Sequence, residues 1–165
     1  MAKESIFNIL DNYFHFDAIT VLDLFSGTGS ISYEFASRGC TEVIAVEQNP
    51  RCADYIRNTA KELNFHNLMV MKGNVFSYLR SAGRQFDVIF ADPPYDLEGI
   101  DTIPDIVLTG GFLATDGLLV LEHGPRLSFN QHPHFLEQRT YGKVNFSLFT
   151  DSPAASDDEQ DVSFQ

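Results

Sequence analysis

The stretch Asp92-Pro93-Pro94-Tyr95-Asp96 follows an apolar run, residues 86–91, that reads as a buried strand. Proline fixes φ and has no backbone donor, so Pro93 and Pro94 end that strand in a stiff corner. The corner carries an acid, Asp92, on one side and an aromatic, Tyr95, on the other; Asp96 reads as a turn acid. A second stretch, DLFSGTGSIS from Asp23, joins an acid to a glycine loop. Gly27 and Gly29 allow a tight strand-to-helix turn and let a ligand approach the backbone. The dinucleotide fingerprint requires a third glycine where this chain has Ser32, which disfavours a NAD reading. No Gly-Lys-Ser/Thr follows, so the loop is not a P-loop.

An acid at the position of Asp23, inside a strand end, requires hydrogen bonds from a ligand or from loop amides. Glu47 closes the next apolar run, 24 residues after Asp23. From there an acid accepts both hydroxyls of a ribose; the plain alternative is a solvated strand-end acid. Asp23, Glu47 and Asp92 together would make an acidic mouth suited to a cation. S-adenosyl-L-methionine meets these conditions, with a ribose, an amino-acid end for the loop and a positive sulfonium.

These residues need a scaffold that brings strand ends together. Short apolar runs at 19–25, 42–47, 68–72, 86–92 and 117–123 alternate with helix-like segments at 30–39, 50–64, 74–82 and 98–111. Continuous apolar strands alternating with helices predict a parallel sheet covered on both faces. Residues 2–14 carry an amphipathic helical pattern, Gly39 and Gly83 are placed as helix stops, and Pro50 as a first-turn residue. Residues 135–149 offer two strands around Tyr141-Gly142-Lys143, too close for a crossover helix, hence an antiparallel hairpin. The expected architecture is a three-layer α/β/α sandwich with a C-terminal β-hairpin.

A chain of 165 residues with 44% hydrophobic content suits one soluble domain. Residues 1–150 are read as that domain and 151–165 as an acidic, disordered tail. Neither a membrane span nor a signal peptide is expected, and Cys40 and Cys52 form no CxxC pair, so a reducing cytoplasm is the default. The net charge is −12, of which the five acids of the tail supply five, leaving −7 for the body. That balance speaks against a large basic face. Lys3, Arg84, Arg126, Arg139 and Lys143 are too scattered along the chain to form a patch and read as ordinary solvated charges. His132-Pro133-His134 is the nearest approach to a metal-ligand spacing and reads as a solvated loop pair, so no metal is expected.

DLFSGTGSIS, Glu47 and DPPY at the fourth strand resemble the amino-methylating branch of the class I S-adenosylmethionine-dependent methyltransferases. With AKESIFNIL, VIFADPPYD and YGKVNFSLF, residues 2–150 resemble the bacterial family that methylates guanine N2 in 16S ribosomal RNA, of the guanine-966 type. The resemblance implies a Rossmann-like fold with a mostly parallel seven-stranded sheet. It implies Asp23, Phe25, Gly27 and Gly29 as loop and methionine-end contacts, with Glu47 on the ribose. Asn74 stands where the family often has an acid that binds the adenine amine; its amide oxygen can still accept, and Val75 offers backbone and apolar contact. Asp92 completes the cofactor set.

The same resemblance makes Asp92, Pro93, Pro94 and Tyr95 the catalytic motif. The exocyclic amine of guanine is a poor nucleophile, because its lone pair is delocalised into the ring. The Asp92 carboxylate and the Pro93 carbonyl each accept one N–H and aim the lone pair at the methyl group, while Tyr95 offers a face for the unstacked base. The expected partner is 16S rRNA within the small subunit or its precursor, bound by a monomer. The family carries a basic segment ahead of its first helix, whereas this chain starts MAKES, so weak RNA affinity is expected. Other classes left open are a DNA adenine or cytosine amino-methyltransferase, a cofactor-binding module without turnover and, more remotely, a nucleotide-binding oxidoreductase.

Overall fold

The computed structural model describes residues 2–81 and 83–152. Five strands of the central sheet run parallel: β1 (Thr20–Leu24), β2 (Glu42–Glu47), β3 (Leu68–Lys72), β4 (Phe86–Ala91) and β5 (Leu113–His123). The hairpin strands β6 (Phe135–Tyr141) and β7 (Val144–Thr150) complete it in the order β3-β2-β1-β4-β5-β7-β6. Among the described residues five helices connect or flank the strands: α1 (Ala2–Asp11), α2 (Ser30–Ser37), α3 (Pro50–Glu62), α4 (Val75–Ser81) and α5 (Ile103–Thr109).

Alternation along each strand explains the layers, because successive side chains point to opposite faces. Val21, Val43, Ala45, Val88, Phe90 and Val120 face one way, against Ile6, Phe7 and Leu10 of α1, Phe35 of α2 and Ile56 of α3. Leu22, Leu24, Ile44, Val46, Ile89, Ala91 and Leu121 face the other, against α4 and α5 through Val75, Leu79, Ile103 and Val107. The three-layer sandwich and its terminal hairpin are therefore as expected. Among the described residues no helix is long and apolar enough to cross a membrane.

Several boundaries differ from expectation. Helix α1 stops at Asp11 rather than reaching residue 14, and Phe14 follows it as a partly buried flank of the core. The segment 98–111 forms a 3-10 turn, Ile100–Thr102, before α5, whose first turn contains Pro104. Strand β5 begins four residues early, at Leu113, and absorbs an irregular turn at Asp116 (φ 65°) where its pairing with β4 shifts register. Asp151, expected as the first acid of a solvated tail, accepts a 3.0 Å hydrogen bond from the Asp116 amide. The rest of that acidic stretch, 153–165, lies outside the described residues.

The two loop histidines are half-buried and partnered rather than freely solvated. His132 Nε2 lies 2.7 Å from Asp105 Oδ1 and its ring packs edge-on against Phe149, while His134 Nδ1 bonds the Thr150 carbonyl at 2.9 Å. Both tie the loop before β6 to its surroundings.

Candidate active site

Strand order reverses between β1 and β4, and the carboxyl ends of parallel strands at such a point leave a crevice. A cleft of about 570 Å³ opens there, walled by the loop after β1, the end of β2, the turn before α4, the proline corner after β4 and the end of β5. Phe25, the residue after β1, has φ 60°, a left-handed conformation that is costly for a non-glycine residue and turns the chain out of the sheet. The loop then folds back: the Ser26 amide bonds the Val46 carbonyl at 3.0 Å and the Gly29 amide bonds the Ser26 carbonyl at 2.9 Å. Gly29 has φ 92°, a conformation strained for any L side chain, and a Cβ there would also crowd the Tyr33 ring at 2.8 Å.

Asp23 is 1% exposed and sits beneath this loop rather than on the cleft wall. Its Oδ2 accepts a 2.6 Å hydrogen bond from the Ser32 hydroxyl. Burial pushes the carboxyl up to about 7, with Asp92 and Glu47 adding to the rise and hydrogen bonds from Ser32 and Ser26 opposing it. Ser32 thus has a defined task at the position where the dinucleotide pattern has its third glycine.

Glu47 lines the cleft at the end of β2, half-buried. Burial raises its pKa, and the backbone amides of Gly27, Gln48 and Asn49 pull it back. Its carbonyl accepts from the Gly73 amide at 2.9 Å, which sets the turn into α4. Asn74 follows, and its Oδ1 accepts from the amides of Phe76 (2.9 Å) and Ser77 (3.2 Å), capping α4. That oxygen, expected as an acceptor for an adenine amine, is already used by the helix; Asn74 Nδ2 points to Gln48 Oε1 at 3.4 Å. Phe76, edge-on to Phe25 with ring centroids 6.5 Å apart, forms an aromatic wall with Val75 beside it.

Across the cleft, Ala91 of β4 pairs with Leu121 of β5, so the next residues, Asp92 and Glu122, emerge side by side. The two carboxyls are neighbours, and each acts on the other's proton affinity. Asp92 faces the open cleft, yet the surrounding protein excludes enough water to raise its pKa, an effect that neighbouring Glu122 counters. Glu122 is pushed up to about 7, by burial first and then by the Asp92 charge. Burial and the same two acids also raise the phenol of Tyr95, which is 65% exposed at the cleft mouth.

The model of the family described as Conserved hypothetical protein 95 matches residues 1–150. The chain belongs to that family. Its similarity to a candidate rRNA methyltransferase of Bacillus subtilis, YlbH, is 28% identity over 154 residues, covering 89% of this chain and 83% of the relative. To the ribosomal RNA small subunit methyltransferase D of Haemophilus influenzae it is 26% over 153 residues, covering 89% and 78%. The solved structure of a candidate methyltransferase from Escherichia coli, yhhF, superposes with a TM-score of 0.80 at 21% identity, covering 90% of this chain and 83% of that one. The fold is that of the class I methyltransferases, as the motifs implied.

For this member of the Conserved hypothetical protein 95 family, the structure gathers Phe25, Gly27, Glu47, Asn74, Val75, Asp92, Pro93, Pro94 and Tyr95 around one cleft. Asp23 and Gly29 stand behind it as supports. Sequence reading missed Glu122, Phe76 and Gln48. Glu122 carried a readable signal, an acid in the apolar strand end LLVLEH, placed like Asp23 and Asp92 in theirs.

Proposed function

We propose that this chain transfers a methyl group from S-adenosyl-L-methionine to the N2 amine of a guanine in small-subunit ribosomal RNA, the guanine-966 position by resemblance. The observation that carries this reading is the shared cleft: the proline corner Asp92–Tyr95 faces the glycine loop and Glu47 across one cavity. The cofactor fits that cavity on charge, because Glu47, Asp92 and Glu122 line it and Asp23 lies just beneath. When bound, the cofactor supplies an electrophilic methyl on a positive sulfur. Glu47 would hold the ribose hydroxyls, Gly27 the backbone approach of the amino-acid end, and Phe25, Val75 and Phe76 the adenine faces. Asn74 would contribute a donor rather than an acceptor, since its oxygen caps α4.

On the other side, Asp92 and the Pro93 carbonyl accept the two N–H groups of the target amine and turn its lone pair toward the methyl. As the N–C bond forms, positive charge grows on nitrogen next to the Asp92–Glu122 pair. That pair stabilises the charge and provides a carboxylate to take the proton the product releases. The names of the relatives that the chain matches support RNA as the substrate.

The test is transfer of radiolabelled methyl to ribosomal RNA from cells lacking the modification, followed by nucleoside digestion. Label in N2-methylguanosine is expected. Label in methyladenine or methylcytosine of DNA, in a protein side-chain amide, or nowhere overturns the proposal.

A further inference from the structure

A second groove, of about 330 Å³, adjoins the cleft and shares one residue with it, Tyr95. It is lined by Tyr95, Ile100, Pro125, Leu127, Arg126 and Lys143, with Gly124 at its floor. Three segments distant in sequence meet here for a reason of register. Strand β4 runs beside β5, which brings the proline corner next to Gly124, and a Cβ on Gly124 would stand 3.8 Å from the Tyr95 ring. Strand β7 pairs antiparallel with β5, with Asn145 opposite His123, so the hairpin turn at Lys143 comes level with the Pro125–Arg126 bend. His123 fixes this corner from below: its Nδ1–H donates to the Gly124 carbonyl at 2.9 Å, and its Nε2 accepts from the buried Ser147 hydroxyl at 2.7 Å.

The chemistry of the groove differs from that of the acidic cleft. Its walls are apolar, Tyr95 presents an exposed ring, and both cations are solvent-facing. Arg38, Arg57, Arg84 and Arg139 are each neutralised by a carboxylate. Among the described residues Lys3, Arg51, Lys61, Lys72, Arg80, Arg126 and Lys143 form no ion pair, and of these only Arg126 and Lys143 line the groove. A flat apolar ligand carrying negative charge at its edge fits such a surface; a base with its phosphates is that ligand.

Resting on the function proposed above, we infer that this groove seats the target nucleotide of a single-stranded RNA, with the base against Tyr95 and the flanking phosphates on Arg126 and Lys143. The base then reaches Asp92 from the Tyr95 side, and the phosphates stay clear of the carboxyls in the cleft. Contact of the base face with the Tyr95 ring requires that the base leave its stack to enter.

The experiment measures binding of a fluorescent single-stranded RNA octamer containing one guanine, by anisotropy at several salt concentrations, to the full chain and to R126A/K143A. Calorimetry with S-adenosyl-L-methionine and a thermal melt serve as controls. The double variant is expected to bind the octamer at least tenfold more weakly, with a salt slope shallower by about 1.4, roughly 0.7 per single-strand phosphate lost, and to keep its cofactor affinity and melting temperature. Tyr95→Ala is expected to weaken octamer binding about five- to 150-fold and Tyr95→Phe to retain it. Unchanged octamer affinity and slope in the double variant overturns the inference, as does absence of saturable binding by the wild type or preference for duplex DNA. Because binding is read without turnover, the two proposals separate. RNA methylation that survives with unaltered octamer binding in the double variant sinks the groove alone, whereas groove-dependent binding without methylation sinks the reaction alone.

Discussion

The Ser32 hydroxyl donates a 2.6 Å hydrogen bond to Oδ2 of Asp23, and both residues are sealed from solvent. Asp23 ends up as the buried post under the glycine loop, and Ser32, from the first turns of α2, is the tie that holds it. Removing one partner of a buried hydrogen bond leaves the other with its full desolvation cost. Ser32→Ala is therefore expected to destabilise the protein by about 1–3 kcal/mol, measured by urea denaturation. Ser32→Gly, which completes the glycine pattern, should cost about 1 kcal/mol more through helix propensity. Wild-type stability in Ser32→Ala would show that the loop does not lean on this bond.

The carboxyl of Asp23 has an ordinary value of 3.8 and is pushed up to about 7 in the fold. Its sign follows from linkage. Below pH 4 folded and unfolded chains both hold the proton; as pH rises from 4 to 7, the unfolded chain ionises first and stability falls. Glu47, Asp92 and Glu122 are raised too and act in the same direction. His123, lowered by burial, opposes them, since the unfolded chain takes its proton first as pH falls through about 6.5. Thermal melts of the cofactor-free protein should lose stability from pH 4 to pH 7, and Asp23→Asn should flatten that decline. An equal decline in the variant would locate the slope elsewhere.

Asp92 is open to the cleft and holds no core contact that its truncation would empty. Asp92→Ala is expected to lower single-turnover methyl transfer by on the order of 100- to 1,000-fold, with cofactor affinity by calorimetry within a few-fold of wild type. Asp92→Asn keeps one acceptor oxygen and should fall between the two. Near-normal transfer by the alanine variant would remove the acid from the proposed mechanism.

Glu122 lies beside Asp92, and its carboxyl is pushed up to about 7 by burial and by the Asp92 charge. Glu122→Gln retains a donor to Asp92 but no longer titrates. The wild-type profile of transfer rate against pH should contain a step near 7 that this variant lacks, while its plateau rate stays within about tenfold, the modest end of general acid–base effects. An unaltered profile would mean that the pair is only structural.

The glycine loop, Glu47 and the proline corner were legible because each is a local signal, written in consecutive residues at the end of an apolar run. Asn74 lies on the cleft wall and its oxygen caps α4, a use that depends on where α4 starts and so is not written in the residues around it. The position of Ser32 read as a missing glycine, because the loss of a Cβ-free site is visible in one dimension and a hydrogen bond nine residues back is not.

What the sequence by itself determined was the alternation of strands and helices, hence the layered sheet, and the chemical types at the strand ends. What only the tertiary structure decided were the pairings across the sheet. The register that sets Ala91 beside Leu121 put Asp92 and Glu122 side by side, and the one that sets His123 opposite Asn145 brought Arg126 and Lys143, 17 residues apart in the chain, to one groove. Composition reported those two cations as part of an acidic whole. Register is a sum of many long-range contacts, each weak on its own, and no short stretch of residues carries it.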